Sequence, residues 1–494
     1  MADYVLGIDQ STQGTKALLF DQDGALVSRA DLPHRQMIDE RGWVEHDPEE
    51  IWNNTLRVVQ QLVEQSGIDK GDIRTVGISN QRETALVWEK DTGKPIYNAV
   101  VWQCARGAEI CQGLEQAGHR EQIHARTGLT LSPYFSAAKL AWVLRNVPGA
   151  QQRAEQGELC CGTVDSWLVY KLTSGKEFRT DYSNASRTQL FNIHTLQWDE
   201  QLCGWFQIPM CTLAQVTDSD GCYGQTDFDG FLEHPIPIHG VLGDSHGALF
   251  GQGCHQKGMV KATYGTGSSI MMNIGQTPVM DPHIVTSLAW SMGGTVHYVL
   301  EGNINYTGAV ITWLKDDLGL ISSAAETSQL AEQANPQDTT YLVPAFSGLG
   351  APYWDSEAKA TLCGMSRTTQ RREIVKAGLE CIAYQITDVI TAMKEASGVE
   401  IQELRVDGGP TRNRYLMQFQ SDIVGIPVQV PQAEELSGIG AAYAAGLAIG
   451  LYQADHVFGR MQRQTFIPQM TKIDRENRYT GWKHAVSSVL SGSK

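Results

Sequence analysis

The sequence contains no Cys-x-x-Cys pair and no cluster of cysteine and histidine at zinc-ligand spacing. Its ten cysteines are scattered between Cys104 and Cys381, and the adjacent pair Cys160-Cys161 is a poor disulfide candidate. A scaffold stapled by zinc or disulfides is excluded, and a reducing, cytoplasmic compartment is expected. A basic excess is also missing. The 39 Lys and Arg are outnumbered by 55 Asp and Glu, for a formal net charge of −16. That balance argues against a nucleic-acid partner or an anionic membrane surface. It does not argue against a nucleotide, which local backbone dipoles hold whatever the total charge. No apolar stretch is long enough to cross a bilayer, so membrane insertion is not expected. No signal-like segment opens the chain: Met1-Ala2-Asp3-Tyr4 runs straight into a strand-like segment.

What is present is length, glycine and mixed periodicity. At 494 residues the chain is too long for one core, and two large domains, or a few smaller ones, are expected. Hydrophobic residues at 42% and charged residues at 19% fit an ordered protein. Many of the 49 glycines follow apolar runs, as in tight turns near ligands. Tyr4–Asp9 and Lys16–Asp21 read as a β-hairpin whose tip, Gln10 to Thr15, is rich in hydroxyls. Pro48–Gln65 shows helical spacing behind an acidic first turn. Arg74–Ser79, Pro237–Gly243 and Glu403–Val406 read as strands. Val260–Tyr264 and Ile270–Ile274 form a second hairpin around Gly265-Thr266-Gly267-Ser268-Ser269, a weak internal repeat of the first. Glu435–Leu447 reads as a Gly/Ala-rich helix suited to close packing. The class is α/β.

Four loops carry the chemistry. Arg82-Glu83, in Asn80-Gln81-Arg82-Glu83-Thr84, offers donors and acceptors together, which a polyhydroxylated ligand requires; the competing reading is a surface ion pair. The first hairpin tip presents backbone N–H groups and the hydroxyls of Ser11, Thr12 and Thr15 to phosphate oxygens, with Lys16 as a cation and Asp9 as a metal-facing carboxylate. Gly265-Thr266-Gly267 and Asp407-Gly408-Gly409 are further turns able to approach a phosphate. Asp244, in Gly243-Asp244-Ser245-His246-Gly247, is a candidate general base toward a hydroxyl, against the alternative of a helix cap. In phosphoryl transfer such positioning and charge neutralisation are most of what a protein supplies.

Longer motifs extend the pattern: Gly7-Ile8-Asp9-Gln10, Val101-Trp102-Gln103-Cys104, Pro133-Tyr134-Phe135-Ser136, Gly162-Thr163-Val164-Asp165-Ser166-Trp167 and Asp181-Tyr182-Ser183-Asn184-Ala185-Ser186-Arg187. Asn192-Ile193-His194-Thr195, the segment 344–354 and Arg405-Val406-Asp407-Gly408-Gly409 follow. With these, nearly the whole chain resembles the FGGY carbohydrate kinases, and among them the glycerol kinases. The resemblance implies two ribonuclease-H/actin-like ATPase domains, 1–248 and 249–494, closing on an interdomain cleft. It implies ATP and Mg2+ as cofactors, a small polyol or sugar as acceptor, and assembly as a homodimer or homotetramer. It places Arg82, Glu83, Trp102, Tyr134 and Asp244 around the acceptor, with Asp244 as base. Ser245 and Ser269 join that group by position. Thr12, Gln13, Lys16, Thr266, Gly308, Thr312, Gly409 and Asn413 fall around the nucleotide, and Asp9 with Asp244 toward the metal.

The departures from the family pattern concern the acceptor. Glycerol kinases usually carry a glutamine where Ser245 stands, and a phenylalanine where Ser269 stands. Serine at the second position would enlarge the pocket and make it more polar. A longer acceptor than glycerol is therefore expected as the alternative: a tetritol, tetrulose, pentitol or pentulose, as in xylulokinase-type enzymes. Lys16 stands for the usual arginine, and Thr312 for a glutamine near the adenine. The stretch Asp227–His234 lacks the Gly/Arg-rich loop that binds an allosteric sugar phosphate in some relatives. A reading from another class is an actin- or chaperone-like ATPase with no small-molecule acceptor. It would leave Arg82, Glu83, Trp102 and Tyr134 without a purpose.

Overall fold

The computed structural model describes residues 3–490. Two large sheets organise the chain, one in each half. The first has six strands in the order Gln225–Thr226, Ile236–Gly243, Ile73–Asn80, Tyr4–Gln10, Gly14–Phe20, Leu26–Pro33. Its three central strands, Ile236–Gly243, Ile73–Asn80 and Tyr4–Gln10, run parallel, and their register sets Asp9 beside Ser79 and Gly243 beside Asn80. Their C-terminal ends therefore meet at one edge. With strands spaced about 4.8 Å apart, Asp9 and Asp244 are separated there by a single intervening strand.

The second sheet has seven strands, ordered Val285–Met292, Thr295–Ile304, Ser268–Gly275, Val260–Tyr264, Leu404–Asp407, Val428–Pro431, Arg463–Phe466. Its hairpin Val260–Tyr264/Ser268–Gly275 abuts the parallel strand Leu404–Asp407, just as the hairpin Tyr4–Gln10/Gly14–Phe20 abuts Ile73–Asn80. The repeat seen weakly in the sequence is thus a repeat of topology.

Two helices fill the space between the sheets. Asp244–Gly251 follows the strand ending at Gly243, and Leu436–Ala448 returns from late in the chain to lie against it. One apolar cluster joins both sheets through them, including Val5, Leu18, Leu249, Met271, Val299 and Ile439. The small residues make this possible. A Cβ on Gly440 would lie 1.9 Å from the Gly247 carbonyl oxygen, and one on Gly77 would lie 2.2 Å from that of Ala441. The close-packing reading of the Gly/Ala-rich segment holds.

Helix Pro48–Ser66 forms where its spacing predicts, capped by Asp47, whose carboxylate accepts from the Glu49 N–H at 2.9 Å. Two local readings need correction. Ser268 and Ser269 are not part of the second hairpin's tip. They pair with Tyr264 and Thr263 as strand residues, which leaves a three-residue turn. The helix-cap alternative for Asp244 also fails: extended Gly243 is the cap residue, and Asp244 is the first residue of the helix Asp244–Gly251. Among the described residues no helix is long and apolar enough to cross a membrane.

Candidate active site

Arg82 and Glu83 follow the strand Ile73–Asn80 and are 6% and 2% exposed, which rules out the surface-ion-pair reading. Glu83 takes a left-handed backbone (φ 61°), a costly conformation for a residue with a Cβ. Both charges are answered by groups that the motif reading did not select. Arg82 makes a two-pronged contact to Glu301, with Nη1 donating to Oε2 at 2.9 Å and Nη2 to Oε1 at 3.0 Å. Arg187 donates to Glu83 Oε1 at 2.6 Å and to Glu301 Oε2 at 2.8 Å. The result is a buried network of two cations and two carboxylates, spanning both halves of the chain. Burial would raise the Glu301 carboxyl, but Arg187 and Arg82 overcome it and hold the group well below the usual range.

Asp244 extends this network to the cleft. Its Oδ1 lies 3.1 Å from Arg82 Nε and accepts from the Ser245 N–H at 2.6 Å, while about a third of the side chain stays exposed. It sits in the first turn of the helix Asp244–Gly251. Gly243 must be glycine for this approach: a Cβ there would lie 2.7 Å from Arg82 Cγ.

Asp9, at the neighbouring strand end, is 6% exposed, and its Oδ1 has no hydrogen-bond partner among the described residues. Burial pushes its carboxyl up to about 6; Lys16 opposes this, and the like charge of Asp244 adds to it. Lys16 Nζ stands 3.9 Å from Asp9 Oδ2 but bonds more closely to Glu435 Oε2, at 2.7 Å. The cation assigned to phosphate is thus already paired to the start of the Gly/Ala-rich helix.

Trp102 and Tyr134 come together, with ring centroids 5.6 Å apart. Trp102 Nε1 donates to Thr12 Oγ1 at 2.9 Å, so Thr12 touches the aromatic group as well as the hairpin tip. Lys139, fully buried, supports the loop before its helix by donating to the carbonyls of Tyr134 and of Phe135. Burial pushes its amine down to about 7. Ser269 Oγ is buried without a partner among the described residues. Both nitrogens of His246 are in the same state, and burial, aided by Arg82, holds its ring neutral.

Gly308, Thr312, Gly409 and Asn413 line one cavity of ≈ 610 Å³, with Ile311 and Leu416 among its apolar walls. Asn413 is held there: its Oδ1 caps the following helix at Leu416 N–H, and its Nδ2 donates to Thr327 Oγ1 at 2.8 Å. Thr266 lies on an adjoining pocket that shares Thr312. Thr12, Gln13 and Lys16 do not line the large cavity; they occupy the opposite hairpin, where the Gln13 carbonyl accepts from the His34 N–H.

The residues missed carried a signal. Glu301 interrupts the apolar run Tyr298-Val299-Leu300, and Lys139 the run Ser136-Ala137-Ala138; a charge inside a buried pattern needs a partner. Arg187 closes a quoted motif but was not singled out.

Residues 4–251 match the model of the FGGY family of carbohydrate kinases, N-terminal domain, and residues 260–449 that of its C-terminal domain. The chain is 50% identical over 491 residues to glycerol kinase 1 of Thermotoga maritima, covering 99% of this chain and 100% of the relative. It is 46% identical to a glycerol kinase of Caldanaerobacter subterraneus, covering 99% of both. Among solved structures, Plasmodium falciparum glycerol kinase with ADP superposes with a TM-score of 0.94 at 34% identity, covering 99% of this chain and 98% of that one. A xylulose kinase from Lactobacillus acidophilus shares the fold, with a TM-score of 0.88 at 20% identity and full coverage of both chains. The two-domain, actin-like ATPase architecture is the one expected.

Proposed function

The chain belongs to the FGGY family of carbohydrate kinases, and on that premise we propose that it transfers the terminal phosphoryl group of ATP to a terminal hydroxyl of a small polyol or sugar. The observation that carries this reading is the single edge where Asp9, Arg82 and Asp244 converge, with Arg82 Nε 3.1 Å from Asp244 Oδ1. Asp244 acts as general base. It is partly open to the cleft and oriented by Arg82 and by the Ser245 N–H. Arg82, Glu83, Trp102, Tyr134, Ser245 and Ser269 hold the acceptor. Thr12, Gln13, Lys16 and Thr266 serve the phosphates, and Gly308, Thr312, Gly409 and Asn413 the nucleoside end.

Asp9 and Asp244 would hold Mg2+. The fit rests on Asp9, whose buried Oδ1 has no partner among the described residues and whose charge is disfavoured by burial and by Asp244. No group of three or more His, Cys, Asp or Glu able to hold a metal is present among the described residues, and Mg2+ needs only one or two carboxylates beside substrate phosphates. Bound, it would neutralise charge on the phosphate oxygens.

The division at 248/249 belongs to this proposal, supported by one large sheet in each half. So does the cytoplasmic compartment, supported by ten free cysteines. Assembly as a dimer or tetramer rests on the family resemblance, and light scattering on the purified chain tests it. A second reading, a tetritol, pentitol or matching ketose as acceptor, is favoured by the partnerless Ser269 Oγ. The function is tested by coupled ADP release over glycerol, tetritols, pentitols and ketoses. Release that depends on an acceptor is expected. ATP hydrolysis indifferent to every acceptor would instead mark an ATPase of the chaperone type.

A further inference from the structure

The inner face of the second sheet carries a row of polar side chains of which the motifs pick out only Asp407 and Ser269. Register places Asp407 beside Thr263, Thr263 beside Ser269, and Ser269 beside Asn303, on four adjacent strands. Side chains in register on adjacent strands share a face. That face looks toward the first half of the chain. Glu301, two residues before Asn303 and so on the same side, reaches across to Arg82 and Arg187. Met271, two residues after Ser269, packs in the apolar cluster that joins both sheets. Thr263 accepts from the buried Lys261 Nζ at 3.0 Å, and Asp407 accepts from Gln252 Nε2 at 3.1 Å, so the near end of the row is engaged. The far end is not. Ser269 Oγ has no partner among the described residues, and Asn303 uses its side chain for one long contact, Nδ2 to Glu301 Oε1 at 3.3 Å. Asn303 is partly exposed between buried neighbours, as a side chain opening on a cleft would be, and the Ser269 hydroxyl lies buried on the strand beside it.

We propose that Asn303, with Ser269, is a specificity-determining residue that binds hydroxyl or carbonyl groups of the acceptor lying beyond its third carbon. This rests on the kinase reading above and names its substrate class: an acyclic polyol or ketose of four or five carbons. Asn303 suits the task chemically. Its Oδ1 accepts, its Nδ2 retains a hydrogen to donate, and Glu301 fixes its orientation through the network that also fixes Arg82. Ser269 adds one further donor and acceptor. A site whose polar groups expect a hydroxyl discriminates against the acceptor that lacks it.

The test is steady-state ADP release by wild type, Asn303→Ala and Ser269→Phe over glycerol, erythritol, threitol, xylitol, ribitol, erythrulose and xylulose. Wild type is expected to give its highest kcat/KM on a four- or five-carbon acceptor. Asn303→Ala should cut the ratio of that kcat/KM to the glycerol value by roughly tenfold, chiefly through KM. Ser269→Phe should move the ratio the same way. A wild type that prefers glycerol overturns the proposal. So does an Asn303→Ala variant that lowers all acceptors equally, the mark of a purely structural tie to Glu301. Loss of acceptor dependence in the wild type itself would overturn the kinase reading, and the inference with it.

Discussion

The two hairpins occupy corresponding places in the two sheets, yet the cross-strand pair one step in from the turn is ionic in the first and uncharged in the second. In the first, Asp9 pairs across the strands with Lys16; at the corresponding position of the second, Thr263 pairs with Ser269. Both pairs stand one step in from the turn, beside a parallel strand that ends in a polar loop. The same backbone thus presents an ionic pair on one side of the cleft and two hydroxyls on the other. The lesson is a division of labour. The ionic hairpin is suited to phosphate and metal, and so to rate. The hydroxyl pair Thr263–Ser269 is suited to an uncharged ligand, and so to choice, while the turn beyond it, with Thr266, faces the phosphates.

The strongest way to break this comparison is at Asp9. Asp9→Asn should lower kcat by roughly a hundredfold or more and raise the Mg2+ concentration needed for half-maximal rate. The same variant should gain thermal stability when metal is absent. A carboxyl raised to about 6 costs folding energy above that pH. The cost fades as pH falls from about 6 to the ordinary aspartate value of 3.8 and is gone below it. The stability difference should therefore be present at pH 7.5 and vanish under acid conditions, as calorimetry can read. An equal stability difference at both pH values would mean that the fold does not raise the Asp9 carboxyl.

Glu301→Gln should act on stability first. It leaves Arg82 and Arg187 with Glu83 and the partly exposed Asp244 but without the carboxylate that both arginines share, and removing one partner from a buried ionic network costs about 3 kcal/mol. Urea unfolding with an unchanged m-value is the measure. Thr263→Val on the second hairpin should have the smallest effect, about 1 kcal/mol from the lost Lys261 hydrogen bond, with kcat changed less than roughly tenfold. If Thr263→Val were as damaging to kcat as Asp9→Asn, the division of labour would be wrong.

Much of this was legible before the structure. The strands Tyr4–Gln10, Ile73–Asn80 and Ile236–Gly243 are apolar runs closed by polar residues, a pattern that marks each strand; that they meet at one edge follows from their register. The Gly/Ala-rich helix announced its packing through its composition. What stayed hidden depends on register and on distant chain. Nothing local to Arg82 says that Glu301 will answer it, since the two lie in different sheets. The pairing of Lys16 with Glu435 joins opposite ends of the chain. Ser269 read as part of a turn because serine is common in turns, and only the pairing with Thr263 moves it into a strand. Asn303 carries no motif at all, and its significance comes entirely from the strand beside it.

The account stands most directly on Asp244, and the decisive measurement is the single-turnover rate of phosphoryl transfer by Asp244→Asn with saturating ATP and the best acceptor. The side chain keeps its size and its place at the helix start but cannot accept the acceptor's proton. A fall of about 10²–10⁴ in that rate, with nucleotide binding retained, is the predicted result. Transfer at the wild-type rate would contradict it.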